Sequence, residues 1–327
     1  EEQKRSSVVG SYQSNPSLKD LESFVTDFIP NEMDIYSVPS AAVAVIKMNS
    51  SAPNGVEEFH RIFDADGASA NVTKKRSEEW LFRIASISKS VTAIAVMMLV
   101  DEKKIDLDKP MNLYLDKELQ YEATAEFPEI IVRDLFLHVA GFDEVNVGML
   151  PVHTELLPLK DYLAKIKPKR IRPRNSVPSY SNFAYSLLGR IVERTNQDGL
   201  TFEQFVRKRI FDPLQLNKSV ISPRDPAVDN DPTYWKRVAP QKTHGATLSS
   251  DGADLGQYSF SFVPAGDMMM TSADMARYLR FHLSGCQDPH GKQLLTQESC
   301  DALSHSHFGS PVGTGYGLYQ TVMGNLT

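Results

Sequence analysis

The segment from Ile84 to Leu99 carries apolar residues at three- and four-residue steps, and further apolar residues fill its opposite face. Its second half, Ala93–Val100, reads AIAVMMLV. A helix that is apolar nearly all round has no face suited to water, so other elements must enclose it. The run is shorter than the roughly 20 residues needed to cross a bilayer. The chain is therefore predicted to fold around one central buried helix, without a membrane span.

Strand and helix patterns on both sides of this helix predict an α+β fold. Ala41–Met48 (AAVAVIKM) is a continuous apolar run typical of a central strand, and Val56–Phe63 is its predicted hairpin partner across Asn54-Gly55. The Pro-, Asp- and Gly-rich stretch Ser222–Gln257 is predicted to be a long surface loop. Helical spacing marks Leu18–Phe28 (ending at Pro30), Ile131–Leu137, Leu159–Ile166, Asn182–Arg194, Phe202–Ile210 and Ala273–Leu283.

This order of elements predicts three regions. A polar N-terminal arm covers residues 1–16, a sheet domain combines 17–85 with 258–327, and a mostly helical region, 86–257, is inserted between them. The 327 residues carry a net charge of −6, which provides no electrostatic footprint for nucleic acid. The basic cluster Lys167–Arg174 is interrupted by prolines and is interpreted as a solvated loop.

A candidate catalytic pair stands at the start of the buried helix. Ser86 and Lys89 are three residues apart, so a helix places them on one face, with the amine in reach of the hydroxyl. Burial would lower the lysine pKa and make Lys89 a base near neutral pH. The alternative interpretation is an ordinary helix-start serine and a surface lysine. Ser86 is, however, the only serine three residues before any lysine of the chain.

A second candidate motif, Tyr180-Ser-Asn182, follows a Pro-rich loop and precedes an apolar helix. A tyrosine hydroxyl near a Ser–Lys pair can relay a proton to a leaving group, and an asparagine side chain can hold Lys89 or a substrate amide. The simpler interpretation is a turn followed by a helix whose N-cap is Ser181 or Asn182.

Both motifs, in this order, resemble those of the class C β-lactamase and D-alanyl-D-alanine carboxypeptidase family. Residues 82–115 resemble that family's active-site helix, and the resemblance runs from about residue 20 to the end of the chain. Further matching segments are IVRDLFLHVAGF (131–142), PSYSNFAYSLLGRIVE (178–193), VPAGDMMMTSADMARYLRFHL (263–283) and TGYGLYQ (314–320).

The resemblance implies a β-lactamase/transpeptidase-like fold, with an antiparallel sheet flanked by helices, and a serine acyl-enzyme mechanism. Ser86 would attack a carbonyl of a small-molecule or peptide substrate, Lys89 and Tyr180 would manage the proton, and Asn182 would complete the site. The Ser86 N–H and a strand N–H would form the oxyanion hole. No metal or organic cofactor is implied.

The sequence departs from the family in its third motif, Lys-Thr-Gly or His-x-Gly on a strand after the TGYGLYQ segment. Lys242-Thr-His-Gly245 lies too early, and His307-Phe-Gly309 precedes that segment, so both are interpreted as loop sequences; the remaining histidines, His138 among them, are given a structural role. The C-terminal strands are expected to be missing from this chain, and a second chain is a candidate to supply them.

Compartment and activity leave alternatives open. Cys286 and Cys300 form a disulfide in an oxidising compartment or remain as two buried thiols. Four Asn-x-Ser/Thr sequons, at Asn49, Asn71, Asn217 and Asn325, favour a secreted glycoprotein, with a mitochondrial or periplasmic location as the alternative. A serine hydrolase acting on an amide or ester is the leading function. An acyltransferase using the same site and a non-catalytic scaffold are the alternatives.

Overall fold

The computed structural model describes residues 16–52, 55–64, 79–144, 149–151, 155–230, 233–239, 258–305 and 312–321. The helices are α1 (Leu18–Ile35), α2 (Ser88–Asp101), α3 (Val132–Phe136), α4 (Leu159–Ile166), α5 (Asn182–Thr195), α6 (Phe202–Val206), α7 (Pro226–Asn230), α8 (Val263–Gly266), α9 (Ser272–Leu283) and α10 (Gln297–Ser304). The strands are β1 (Ser40–Met48), β2 (Val56–Asp64), β3 (Phe82–Arg83), β4 (Met149–Pro151), β5 (Tyr258–Phe260), β6 (Met269–Met270), β7 (Val312–Thr314) and β8 (Tyr319–Thr321).

The strands pair antiparallel in the part of the chain that the structure describes, as β1–β2, β3–β6, β4–β5 and β7–β8. The predicted α+β class is confirmed. In the β1–β2 hairpin Ser40 faces Asp64 and Met48 faces Val56, and α1 and α9 both pack against it. Among the described strands, β1 pairs with β2 alone.

The predicted central helix is confirmed as α2. All residues from Ser88 to Leu99 are buried. It packs against α5 from the middle of the chain and against α8 and α10 from its C-terminal part. Since a fully buried large aliphatic side chain stabilises a fold by about 1.5–3 kcal/mol, α2 is a rigid base for whatever its N-terminus carries.

The expectation that the first helix ends at Pro30 is wrong, because α1 continues to Ile35. Ser17 and Asp20 form a capping box at its start. Proline inside a helix removes one N–H donor and is unfavourable, but Met33, one turn later, is 5% exposed. Burial of this side chain offsets the interrupted hydrogen-bond ladder, which local sequence signals cannot show.

The stretch Ser222–Gln257, predicted to be a long surface loop, is partly helical. It contains α7 and the 3-10 turn Tyr234–Arg237, while residues 240–257 lie outside the described residues. The buried Asp225 carboxylate accepts from the Ile221 and Ala227 N–H groups and pairs with the Arg207 guanidinium. One carboxylate thus fixes the turn that leads into α7, within the stretch that composition predicted to be a surface loop. No helix among the described residues combines the length and apolarity required to cross a membrane.

Candidate active site

Ser86 stands between β3 and α2, on the 3-10 turn Ala85–Ile87. Ala85 has a φ of 44°, in the left-handed region that L-residues adopt only when their surroundings impose it. The Ile84 N–H donates to the Met268 carbonyl at 3.0 Å and ties the turn to the residues leading into β6. Ser86 itself is exposed. The turn therefore presents its hydroxyl to solvent at the end of a buried helix.

Lys89 Nζ is surrounded by acceptors, and the residue is 3% exposed. Nζ lies 2.7 Å from Asn182 Oδ1, 2.7 Å from the Ala265 carbonyl oxygen and 3.2 Å from Ser86 Oγ. Burial lowers the pKa of Lys89 to about 7, against the opposing effect of the Glu144 charge. In the neutral amine two hydrogens serve Asn182 and Ala265, which leaves the lone pair for the Ser86 proton.

Tyr180 places its hydroxyl 2.5 Å from Ser86 Oγ. Its ring also faces Lys89, whose Nζ lies 4.6 Å from the ring centroid. Burial raises the pKa of Tyr180, while the hydrogen bond to Ser86 lowers it to a lesser degree. The phenol therefore keeps its proton at neutral pH and is in position to donate it.

Asn182 is the first residue of α5, and its side chain accepts the Lys89 hydrogen bond. The helix N-cap is the neighbouring Ser181, whose Oγ accepts from the Ala184 N–H at 3.0 Å. Of the two residues considered as N-caps from the sequence, Ser181 alone has that role. The structure thus brings Ser86, Lys89, Tyr180 and Asn182 together, with the Asn182 side chain turned toward the lysine.

A pocket of about 60 Å³ opens beside these groups. Gly317, with a φ of 90°, lies so close to α2 that a Cβ would fall 2.8 Å from Ala93 Cβ and 2.9 Å from Ser90 Cα. Only glycine lets this wall approach the helix. The lining residues are Ser86, Lys89, His138, Tyr180, Tyr185, Gly315, Gly317 and Leu318.

Comparison with known proteins identifies the family. A family model described as Beta-lactamase matches residues 25–325. The chain belongs to the beta-lactamase family. Among its relatives, Penicillin-binding protein 4 of Amycolatopsis lactamdurans is 27% identical over 295 residues, covering 86% of this chain and 70% of that protein. The Probable hydrolase clz13 of Cochliobolus lunatus is 25% identical over 260 residues, which cover 63% of this chain and only 38% of the relative.

Solved structures of the beta-lactamase fold agree with this assignment. The octameric penicillin-binding protein homologue from Pyrococcus abyssi superposes with a TM-score of 0.67 at 23% identity, over 93% of this chain and 65% of that one. The D-amino acid amidase from Ochrobactrum anthropi SV3 superposes with a TM-score of 0.68 at 21% identity, over 94% and 82%. At these identities the likeness concerns the fold.

Two residues of this candidate site were not selected from the sequence. His138, given only a structural role, lines the pocket, and its ring centroid lies 4.6 Å from that of Tyr180. Glu144 accepts from the Asn182 N–H at 2.8 Å, and its charge raises the pKa of Lys89. The segment LFLHVAGF, which resembles a family motif, could have indicated that His138 lies near the site. No local sequence pattern indicated a role for Glu144. The look-alike motifs at 242–245 and 307–309 lie outside the described residues.

The two cysteines form a disulfide, with Cα atoms 5.9 Å apart, so free thiols are excluded in this structure. The bond joins the loop after α9 to α10, which supports the pocket wall. Ala302 of α10 accepts from the Tyr316 N–H at 3.2 Å, and a Cβ on Gly315 would fall 2.3 Å from the Leu303 carbonyl oxygen. The disulfide thus anchors the helix on which this wall rests.

Proposed function

We propose that the protein is a serine hydrolase that acts on an amide or ester of a small molecule or peptide through an acyl-enzyme. The observation that carries this proposal is that Ser86 Oγ contacts both Lys89 Nζ, at 3.2 Å, and the Tyr180 hydroxyl, at 2.5 Å. One relative is a probable hydrolase, and one protein of the same fold is a D-amino acid amidase, which supports hydrolysis of such bonds.

Acylation begins when the Lys89 amine takes the Ser86 proton as Oγ bonds to the substrate carbonyl carbon. The carbonyl π electrons move to oxygen, where the Ser86 N–H is the proposed donor. As the tetrahedral intermediate collapses, the bond to the leaving group breaks and Tyr180 protonates that amine or alcohol. Tyr180 then recovers a proton from the Lys89 ammonium, so the cycle of protons closes.

Deacylation reverses these roles with water as the nucleophile. Tyr180 accepts one proton from the water as it passes its own proton to the Lys89 amine, while the water oxygen bonds to the acyl carbon. The Lys89 ammonium then gives a proton to Ser86 Oγ as the bond between Oγ and the acyl carbon breaks and the acid leaves. Asn182 and the Ala265 carbonyl keep Lys89 Nζ in place through both half-reactions, since they bind it at 2.7 Å each.

The test is intact mass before and after reaction with a fluorophosphonate, which modifies activated serines. We expect one adduct, absent in Ser86→Ala and present in Ser88→Ala, whose serine is buried two residues away. A wild-type protein that is folded and stays unmodified would refute the proposal. With an ester substrate, the acid as the only product that carries the acyl group supports hydrolysis. Transfer of the acyl group to an added alcohol or amine would instead make the protein an acyltransferase.

We also propose that the protein works in an oxidising compartment and is glycosylated. The Cys286–Cys300 disulfide and the exposed sequon residue Asn217 support this location. Protein purified from its natural source should lose mass on treatment with a peptide-N-glycosidase and show no free thiol under denaturing, non-reducing conditions. A thiol count of two in such material would contradict the proposed compartment.

A further inference from the structure

His138 contacts the chain on both sides of Tyr180. Its carbonyl oxygen accepts from the Ser179 N–H at 2.8 Å, and its Nδ1 accepts from the Ser181 N–H at 3.0 Å. Its ring also packs against the Tyr180 ring at an interplanar angle of 33°, with centroids 4.6 Å apart. The residue before and the residue after the tyrosine are thus both fixed to one histidine.

The segment that carries Tyr180 is irregular up to the residue that caps α5, Ser181. Residues 175–181 form no helix or strand, and the Tyr180 side chain is 42% exposed. Its hydroxyl nevertheless lies 2.5 Å from Ser86 Oγ, and a displacement of about 1 Å at a reacting group can cost about 100-fold in rate. A partner that fixes both neighbours meets this requirement.

We propose that His138 is a positioning residue for Tyr180: it holds residues 179–181 so that the phenol faces Ser86 Oγ. This role rests on the proposed function, since it has meaning only if Ser86 is the nucleophile. This role differs from a general contribution to packing because it depends on one acceptor atom, His138 Nδ1, and affects one reacting group, the Tyr180 hydroxyl.

The chemistry of the ring fits this role. To accept from Ser181, Nδ1 must carry no proton, so the ring is neutral with its proton on Nε2. Burial, assisted by the Lys89 charge, lowers the pKa of His138 to about 4. The acceptor therefore persists throughout the neutral range. The backbone of His138 has a φ of 58°, a region in which asparagine and glycine are readily accommodated.

That backbone allows a matched pair of variants. His138→Asn keeps an acceptor near the Nδ1 position and suits the positive φ, whereas His138→Gly suits the φ and removes the acceptor. We expect fluorophosphonate labelling of Ser86 to slow about 10- to 100-fold in the glycine variant and less than about threefold in the asparagine variant. His138→Ala is a second loss variant, expected to match glycine, and Ala85 shows that this fold holds an alanine at positive φ.

A double-mutant cycle with Tyr180→Phe separates positioning from packing. If His138 acts through the Tyr180 hydroxyl, adding His138→Gly to the Tyr180→Phe variant should slow Ser86 labelling by less than about twofold relative to Tyr180→Phe alone. His282→Ala is the matched control. That ring is also largely enclosed and lies 4.9 Å from a tyrosine ring, Tyr278, but it does not line the pocket. Ser86 in the His282→Ala variant should be labelled at the wild-type rate.

The outcomes are distinct for folded variants, checked by near-ultraviolet circular dichroism at the assay temperature. Equal losses from His138→Gly with and without the Tyr180 hydroxyl would overturn the positioning role. So would an asparagine variant as slow as the glycine and alanine variants, or loss variants as fast as the wild type. An unlabelled wild type would instead overturn the proposed function, and that measurement comes first.

Discussion

Replacing Lys89 with methionine should change the pH dependence of stability in a calculable way. In the folded protein the pKa of Lys89 is about 7, against 10.5 for a solvated lysine. Between these values the unfolded chain binds more protons than the folded one, so wild-type stability rises with pH across this window and is lost as the pH falls toward 7. At 1.36 kcal/mol per pKa unit, burying Lys89 costs about 4 kcal/mol at pH 7.4 and about 1.4 kcal/mol at pH 9.5.

The methionine variant is free of this cost at both pH values. It also loses the hydrogen bonds that Nζ gives to Asn182 and to the Ala265 carbonyl, but the loss of these bonds does not depend on pH. The difference in unfolding free energy, variant minus wild type, should therefore fall by about 2.5 kcal/mol from pH 7.4 to pH 9.5, with other titrating groups common to both proteins.

Urea unfolding of the two proteins at both pH values measures this difference directly. Lys117→Met is the control, since Lys117 is exposed and its replacement should leave the pH dependence unchanged. A Lys89→Met difference that is the same at both pH values within about 0.5 kcal/mol, or that grows with pH, would refute the conclusion that burial depresses the Lys89 pKa.

Three further predictions concern the site and its support. The rate of Ser86 labelling should rise tenfold per pH unit below pH 7 and level off near pH 7, because the Lys89 amine must be neutral to act as the base. A labelling rate that is constant from pH 5 to 9 would exclude Lys89 as the base. Replacing Cys286 and Cys300 with serine should lower the unfolding free energy by about 3 kcal/mol, as expected for a short closed loop, seen in urea titrations with wild type and reduced wild type as references; equal midpoints would contradict this. Gly317→Ala should abolish labelling, because its Cβ would meet α2 at 2.8 Å; a labelling rate within twofold of wild type would show that the pocket wall can move aside.

Much of the fold follows from patterns that are local in sequence. The apolar run of α2, the spacing of Ser86 and Lys89, and the β1–β2 hairpin depend on helix and strand periodicity, and neighbouring residues suffice to recognise them. Tyr180 and Asn182 were also recognised from a local motif. They are more than 90 residues from Ser86 along the chain, so only the family resemblance predicted that they lie close to it.

Other features were decided only by the tertiary structure, because they depend on groups that are distant in sequence. Burial of Met33 carries α1 past Pro30, and Asp225 fixes a turn in a stretch that composition predicts to be a surface loop. Disulfide formation between Cys286 and Cys300 required the two elements that carry them to meet. The pKa of Lys89 is set by desolvation, with the Glu144 charge opposing it, and both arise only when the chain is packed. The sequence by itself thus identified the candidate site residues. Folding determined their protonation and their distances, because charge and proximity are properties of the surroundings that packing creates.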